Sequence, residues 1–155
     1  MSALIKDPLL KIRPMSESDV DAVMQVESRA YEFPWTPGIF RDCLRVGYHC
    51  WVYSLDQQII GFSVMSVAVG EAHILNICIA PEHQGHGLGR RLLERTLTLA
   101  KKQGADTAFL EVRASNRAAL RLYETLGFNE IGLRPGYYPA KAGREDAVLL
   151  ALSLC

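Results

Sequence analysis

The stretch Asn76-Ile77-Cys78-Ile79-Ala80-Pro81-Glu82-His83-Gln84-Gly85-His86-Gly87-Leu88-Gly89-Arg90 constrains this chain more than any other part of it. An apolar strand runs into alternate glycines, and the glycines open a helix. The first N–H groups of a helix have no partner within it, and the helix dipole adds positive character there. Such an end suits phosphate oxygens, and glycine lets the backbone approach them closely. Spacing narrows the ligand. A P-loop needs a closing Gly-Lys-Ser/Thr, which is missing. A dinucleotide fingerprint needs G-x-G-x-x-G, whereas Gly85, Gly87 and Gly89 give G-x-G-x-G. What remains is Gln-x-x-Gly-x-Gly, from Gln84 through Gly87 to Gly89. The plainer alternative is a strand-to-helix turn whose glycines serve the backbone alone. The elements around it favour the anion site.

Those elements follow from pattern. A first strand is expected over 9–13, closed by Pro14. Ser16 offers a helix N-cap, with Asp19 three residues on. Val20, Val23, Met24 and Ala30 share a face of the helix that follows, which Phe33-Pro34-Trp35 terminates. A second helix starts at Thr36-Pro37 and buries Phe40, Cys43 and Leu44. Strands are expected over 49–54 and 59–69, joined by a turn at Asp56 and Gln57, and over 72–79. A helix runs from Leu88 to Lys102 and ends at Gly104. A strand over 109–112 leads to a helix near Asn116 that carries Leu120 and Leu122 and stops at Gly127. Strands over 128–133 and 147–154 close the chain, separated by a long loop rich in Gly, Pro and Tyr. The order β-α-α-β-β-β-α-β-α-β-β implies one α/β (α+β) domain over 1–155, with a mixed central sheet flanked by helices.

Composition excludes several classes. The chain has 155 residues with 17 basic and 17 acidic side chains, so no bulk field draws it to nucleic acid or anionic lipid. Cys43, Cys50, Cys78 and Cys155 form no CxxC pair, which suits free thiols in a reducing compartment. Lys6, Asp7 and Pro8 interrupt Leu4, Ile5, Leu9 and Leu10, so no secretory core or membrane span is expected. A soluble, cytoplasmic protein is the expectation. His83 and His86 are spaced i, i+3, yet no second cluster completes a ligand set, so no metal is expected.

Leu110-Glu111-Val112-Arg113-Ala114-Ser115-Asn116 leads into Ala119-Leu120-Arg121-Leu122-Tyr123-Glu124-Thr125-Leu126-Gly127-Phe128. With Gln-x-x-Gly-x-Gly, this resembles the GNAT acetyltransferases, and in particular their ribosomal-protein alanine N-acetyltransferase branch (RimI). Gly136-Tyr137-Tyr138-Pro139 with Gly143-Arg144-Glu145-Asp146-Ala147, and Arg29-Ala30-Tyr31-Glu32-Phe33-Pro34-Trp35, resemble that branch too. The resemblance spans about 12–152, and the segment up to Pro8 lies outside it. It implies transfer of acetyl from acetyl-CoA to the N-terminal alanine of small-subunit ribosomal protein eighteen. It implies that Ile77, Cys78 and Ile79 bind the pantetheine arm through their backbone. Gly85, His86, Gly87, Leu88, Gly89 and Arg90 would cradle the pyrophosphate, and Asn116 would contact the coenzyme. Glu111 would be the general base and Tyr123 the general acid. No direct nucleic-acid or membrane partner is implied, and nothing in the sequence speaks to oligomeric state.

The chemistry is consistent with those roles. Only a neutral amine attacks a thioester, and an α-amine of pKa near 7.8 is roughly one-third neutral at about pH 7.5. A lysine amine is only about 0.1% neutral there, so Glu111 has a modest task with an N-terminus and a harder one with lysine. Tyr123 has a pKa near 10 against about 8.5 for a thiol, so hydrogen-bonding the departing thiolate is easier than protonating it. As alternatives, Tyr123 is a core tyrosine, and Glu111 is a solvated strand residue or the partner of Arg113 or another cation. Cys78 reads as a small buried residue before a ping-pong nucleophile.

Phe33, Pro34 and Trp35, with Tyr137 and Tyr138, form rigid aromatic loop segments suited to an extended peptide end, or alternatively pack on the domain edge. Glu32 and Asp146 either meet a cationic second residue of the peptide or are solvated. Two further functions stay open: acetylation of a small-molecule amine, and acyl-CoA binding without turnover.

Overall fold

A computed structural model describes residues 10–155. The strands are β1 (Leu10–Pro14), β2 (His49–Leu55), β3 (Gln58–Ala68), β4 (Glu71–Ile79), β5 (Thr107–Arg113), β6 (Asn129–Ala140) and β7 (Gly143–Ser153). The helices are α1 (Val20–Ala30), α2 (Pro37–Arg45), α3 (Leu88–Lys102) and α4 (Arg117–Thr125). Their order is the one that the sequence pattern implies. Leu9, the expected start of β1, lies outside the described residues, as do Leu4 and Ile5.

Among the described residues, seven strands form one sheet in the order β1-β2-β3-β4-β5-β7-β6. Only β4 and β5 run parallel, and every other neighbouring pair is antiparallel. On one face, Val20, Val23 and Val26 of α1 and Phe40 of α2 pack on Val52, Phe62 and Val64. On the other, Leu93 and Leu97 of α3 and Tyr123 of α4 pack on Ile74, Leu110, Val112 and Leu150. Two apolar faces on one sheet therefore demand two helix layers. Among the described residues, no helix is long and apolar enough to cross a membrane.

Local chemistry explains the boundaries. The Asp19 carboxylate accepts the Ser16 N–H at 2.8 Å, forming a single 3-10 turn before α1. Thr36 caps α2 by accepting the Ile39 N–H, with Pro37 in the first turn. Asp56 and Gln57 both take positive φ, 50° and 69°, as a two-residue hairpin turn requires.

The structure corrects one expectation: the long loop between the last two strands does not exist. Instead, β6 runs on to Ala140 and turns through Lys141 and Ala142 into β7. The Gly and Pro residues that suggested a loop sit on the sheet's edge strand, where a missing N–H is tolerated. A register break between Arg134 and Tyr138 absorbs Pro135 and Gly136, and Asp146 accepts the Gly136 N–H at 2.9 Å. Tyr137 and Tyr138 are thus strand residues. Val20, Val23, Met24 and Ala30 do share the inward face of α1, which also buries Val26 and Glu27. In α4 the buried residue is Tyr123, and Leu120 packs against the same cluster.

Candidate active site

β4 and β5 pair only through Glu71–Ile74 and Thr107–Leu110, after which each strand continues without the other. β4 stays paired with β3 up to Ile79, and β5 with β7 up to Arg113. A gap opens in the middle of the sheet. The Ala80 N–H bonds to Ile60 O at 2.7 Å, in register with the Gly61–Ile79 and Phe62–Cys78 partners. Antiparallel bonding alternates, so the N–H and C=O groups of Ile77 and Ile79 face away from β3 and towards the gap. Both carbonyls already accept a side-chain donor: Tyr31 OH reaches Ile77 O at 3.0 Å, and Gln84 Nε2 reaches Ile79 O at 2.9 Å. The two N–H groups are left to meet a ligand. The backbone of Cys78 is turned the other way, and its side chain is buried. Burial pushes the Cys78 thiol up to about 12, which removes the thiolate a nucleophile would need.

At one mouth of the gap lies the glycine loop. Gly85 and Gly87 take φ of 82° and 76°, and an added Cβ would meet open space at either. Gly87 caps α3, whose first backbone bond runs from Arg91 N–H to Gly87 O. The N–H groups of Leu88, Gly89 and Arg90 precede that bond and are the unpaired donors of the helix start. Side chains contribute less. Leu88 is buried, His86 is exposed, and Arg90 donates to Thr125 Oγ1 at 3.2 Å. Among the described residues, no cluster of three or more His, Cys, Asp or Glu is gathered.

The gap widens into a cavity of about 340 Å³, lined by Glu27, Tyr31, Asn76, Glu111, Tyr123 and Tyr138, among others. Leu110 and Val112 pack with Tyr123 beneath α3 and α4. By strand alternation Glu111 points to the opposite face, so the expected acid and base approach the gap from its two sides. Tyr123 is buried against the edge of Phe128, with ring centroids 5.7 Å apart. Burial, and then Tyr138 and Cys78 nearby, push its hydroxyl up to about 12. Glu111 is one-third exposed, and its Oε2 lies 3.1 Å from Arg134 Nε. The cation that meets Glu111 is therefore Arg134 and not Arg113, which is paired with Glu145 at 3.2 Å. Asn116 caps α4 by accepting the Ala119 N–H at 3.2 Å, and lines the cavity as well.

A second trough of about 380 Å³ shares Trp35, Glu111 and Tyr138 with this cavity and runs over Ile39, Phe109 and Ile131. It is bordered by α2 and runs across β4, β5, β7 and β6. Phe33 and Tyr138 flank the Arg113 guanidinium, 5.4 and 4.6 Å from their ring centroids. Arg113 also donates to Pro139 O at 2.8 Å. The two aromatic segments are therefore clasped together at the rim. Glu32 faces Lys141 at 3.8 Å, and Asp146 is occupied inside the β6–β7 hairpin.

Sequence reasoning missed Glu27, Tyr31 and Arg134. Glu27 is only 2% exposed, and its carboxylate accepts from Trp35 N–H at 2.8 Å and Asn76 Nδ2 at 3.1 Å. Burial raises its pKa against those two bonds. Its signal was available, since an acidic residue on the apolar face of α1 needs partners. Arg134 carried none, because its partner lies on a strand that is distant in sequence.

The pattern of the Acetyltransferase (GNAT) family matches residues 20–128. The [ribosomal protein bS18]-alanine N-acetyltransferase of Escherichia coli (strain K12) is 40% identical over 143 residues, covering 92% of this chain and 97% of that one. The crystal structure of the Escherichia coli ribosomal-protein-S18-alanine N-acetyltransferase superposes with a TM-score of 0.88 at 39% identity, covering 94% of both chains. A Salmonella typhimurium protein solved with its cofactor acetyl-CoA shares the fold, with a TM-score of 0.78 at 20% identity, covering 95% of each chain.

Proposed function

This chain belongs to the Acetyltransferase (GNAT) family, and we propose that it acetylates the N-terminal alanine of ribosomal protein bS18 in the cytoplasm, using acetyl-CoA. The observation that carries the reading is the gap between β4 and β5, with unpaired donors along one edge and Glu111 and Tyr123 on opposite sides. An extended amide chain suits the free N–H groups of Ile77 and Ile79, and a diphosphate suits the open glycine loop and the start of α3. Those residues fit acetyl-CoA, which supplies the acetyl group as a thioester. The described residues act as a single catalytic domain, and a balanced net charge gives no draw towards nucleic acid or lipid.

Glu111 takes the proton of the attacking α-amine, directly or through one water. Burial raises the Tyr123 hydroxyl to about 12 and favours its protonated form, so Tyr123 acts as a hydrogen-bond donor to the developing charge. The trough beside Glu111, with Trp35, Tyr137 and Tyr138 along it, gives a peptide room beyond its first residue. A small amine would leave that trough unused, which favours the peptide.

The test is mass spectrometry of two peptides incubated with acetyl-CoA. One begins with alanine, and the other has a blocked N-terminus and a free lysine. Acetylation of the α-amine alone is expected, and faster modification of the lysine peptide would overturn the preference.

A further inference from the structure

Glu27 and Tyr31 stand four residues apart at the end of α1 and so address the same side of it. Both reach β4 where that strand has lost β5. Tyr31 OH donates to Ile77 O at 3.0 Å, and Asn76 Nδ2, one residue earlier, donates to Glu27 Oε1 at 3.1 Å. The second carboxylate oxygen, Oε2, accepts the Trp35 N–H at 2.8 Å. One helix end therefore ties the coenzyme-facing edge of β4 to the aromatic loop that borders the peptide trough. Glu27 and Tyr31 both line the central cavity, and neither is needed for the proton transfers assigned to Glu111 and Tyr123.

We propose that Tyr31 and Glu27 are a positioning pair for acyl transfer, holding Asn76 and Ile77 of β4 and the Trp35 loop in one arrangement. The inference rests on the reading of the gap as the acetyl-CoA site. Its physical basis is the Ile77 carbonyl, which faces the gap. Without the Tyr31 hydroxyl, water can satisfy that carbonyl while the gap is open. Once coenzyme fills the gap the water is excluded, and an underbonded acceptor lies beside the bound chain. The penalty then falls on the bound state more than on the folded state. Glu27 differs, since its two acceptors hold two separate segments. Glutamine can reproduce both contacts if the Asn76 amide turns over, whereas alanine reproduces neither.

The experiment measures acetyl-CoA affinity by calorimetry, and peptide kcat and KM, for the full chain and for Y31F, E27A and E27Q. For Y31F the expected result is an acetyl-CoA Kd raised about tenfold, peptide KM within about twofold, and a nearly unchanged melting temperature. E27A should raise peptide KM roughly tenfold by freeing the Trp35 loop, and E27Q should recover most of that loss. An unchanged acetyl-CoA Kd in Y31F, with normal binding by the unaltered chain, overturns the inference alone. E27Q as impaired as E27A also overturns it, because the charge of Glu27 rather than its placement would then matter. An unaltered chain that binds no acetyl-CoA overturns the coenzyme reading and this inference with it.

Discussion

Arg134 Nε lies 3.1 Å from Glu111 Oε2, so the proposed base is held by a guanidinium from the outermost strand of the sheet. That guanidinium also sits 5.4 Å from the centroid of the Tyr137 ring, in the trough assigned to the peptide. The carboxylate is thus oriented from the side of the proposed peptide trough. E111Q should lower kcat by about 10²-fold or more, the usual worth of a general base. R134A alone should cost less. If Arg134 acts through Glu111, adding R134A to E111Q should cost almost nothing further, and a double-mutant cycle on kcat/KM measures that coupling.

For Tyr123 the sign of the shift makes a kinetic prediction. Burial raises its hydroxyl from 10.0 to about 12, so the neutral form is favoured in the folded chain. That preference is fully present below pH 10 and fades as pH passes about 12. Tyr123 therefore gives no alkaline fall in kcat below about pH 10, and any such limb at lower pH belongs to another group. Y123F should reduce kcat roughly 10²-fold, as for loss of one preorganised donor to developing charge, with acetyl-CoA affinity nearly unchanged. A pH–rate profile of both proteins checks each part.

The sequence was most readable where pattern is local. Val20 and Val23, the Thr36-Pro37 start of α2 and the span of α3 follow from periodicity and capping, and the structure agrees with them. It was least readable at the β6–β7 hairpin. Pro135, Gly136 and Pro139 are loop-formers by local rules, and only edge placement and the Asp146 bond keep them in a strand. The strand–glycine–helix half of the candidate site was legible for the same reason as α3. Its other half depends on β4 and β5 parting after Ile74 and Leu110, a tertiary event without a sequence period. Hence the sequence points to Glu111 without Arg134, and to the gap's edge without Tyr31.

Stability should show its own acid limb, set by Asp19. Its carboxylate accepts two bonds from Arg13, at 2.8 and 2.9 Å, and one from Ser16 N–H at 2.8 Å. The Arg13 bonds contribute most to lowering its pKa from 3.8 to about 2. A depressed carboxylate adds stability above its unfolded value and loses it as pH falls towards the folded one. The loss therefore falls between about pH 4 and pH 2. Because the Arg13 side chain is half exposed, the contribution should be about 1–2 kcal/mol, below the full shift. Urea titrations of the wild-type chain and D19N should differ by that much at pH 7 and converge as pH approaches 2.

Gly89 separates the two explanations of the glycine loop. Gly85 and Gly87 have positive φ, so the backbone alone accounts for their being glycine. Gly89 lies within α3 without positive φ, and an added Cβ would sit 3.8 Å from Ile79 Cγ1, an ordinary contact. Folding gives no reason for glycine there. Alanine is the better helix former, so G89A should leave stability unchanged or raise it by about half a kcal/mol. If the backbone must meet a diphosphate closely, the same methyl should weaken acetyl-CoA binding roughly tenfold, or about 1.4 kcal/mol. Thermal melting and calorimetry on one preparation read both effects. A G89A chain at least as stable as the wild type and weaker for acetyl-CoA would tie this glycine to the ligand. Unchanged affinity would return the motif to a strand-to-helix turn and place the diphosphate elsewhere.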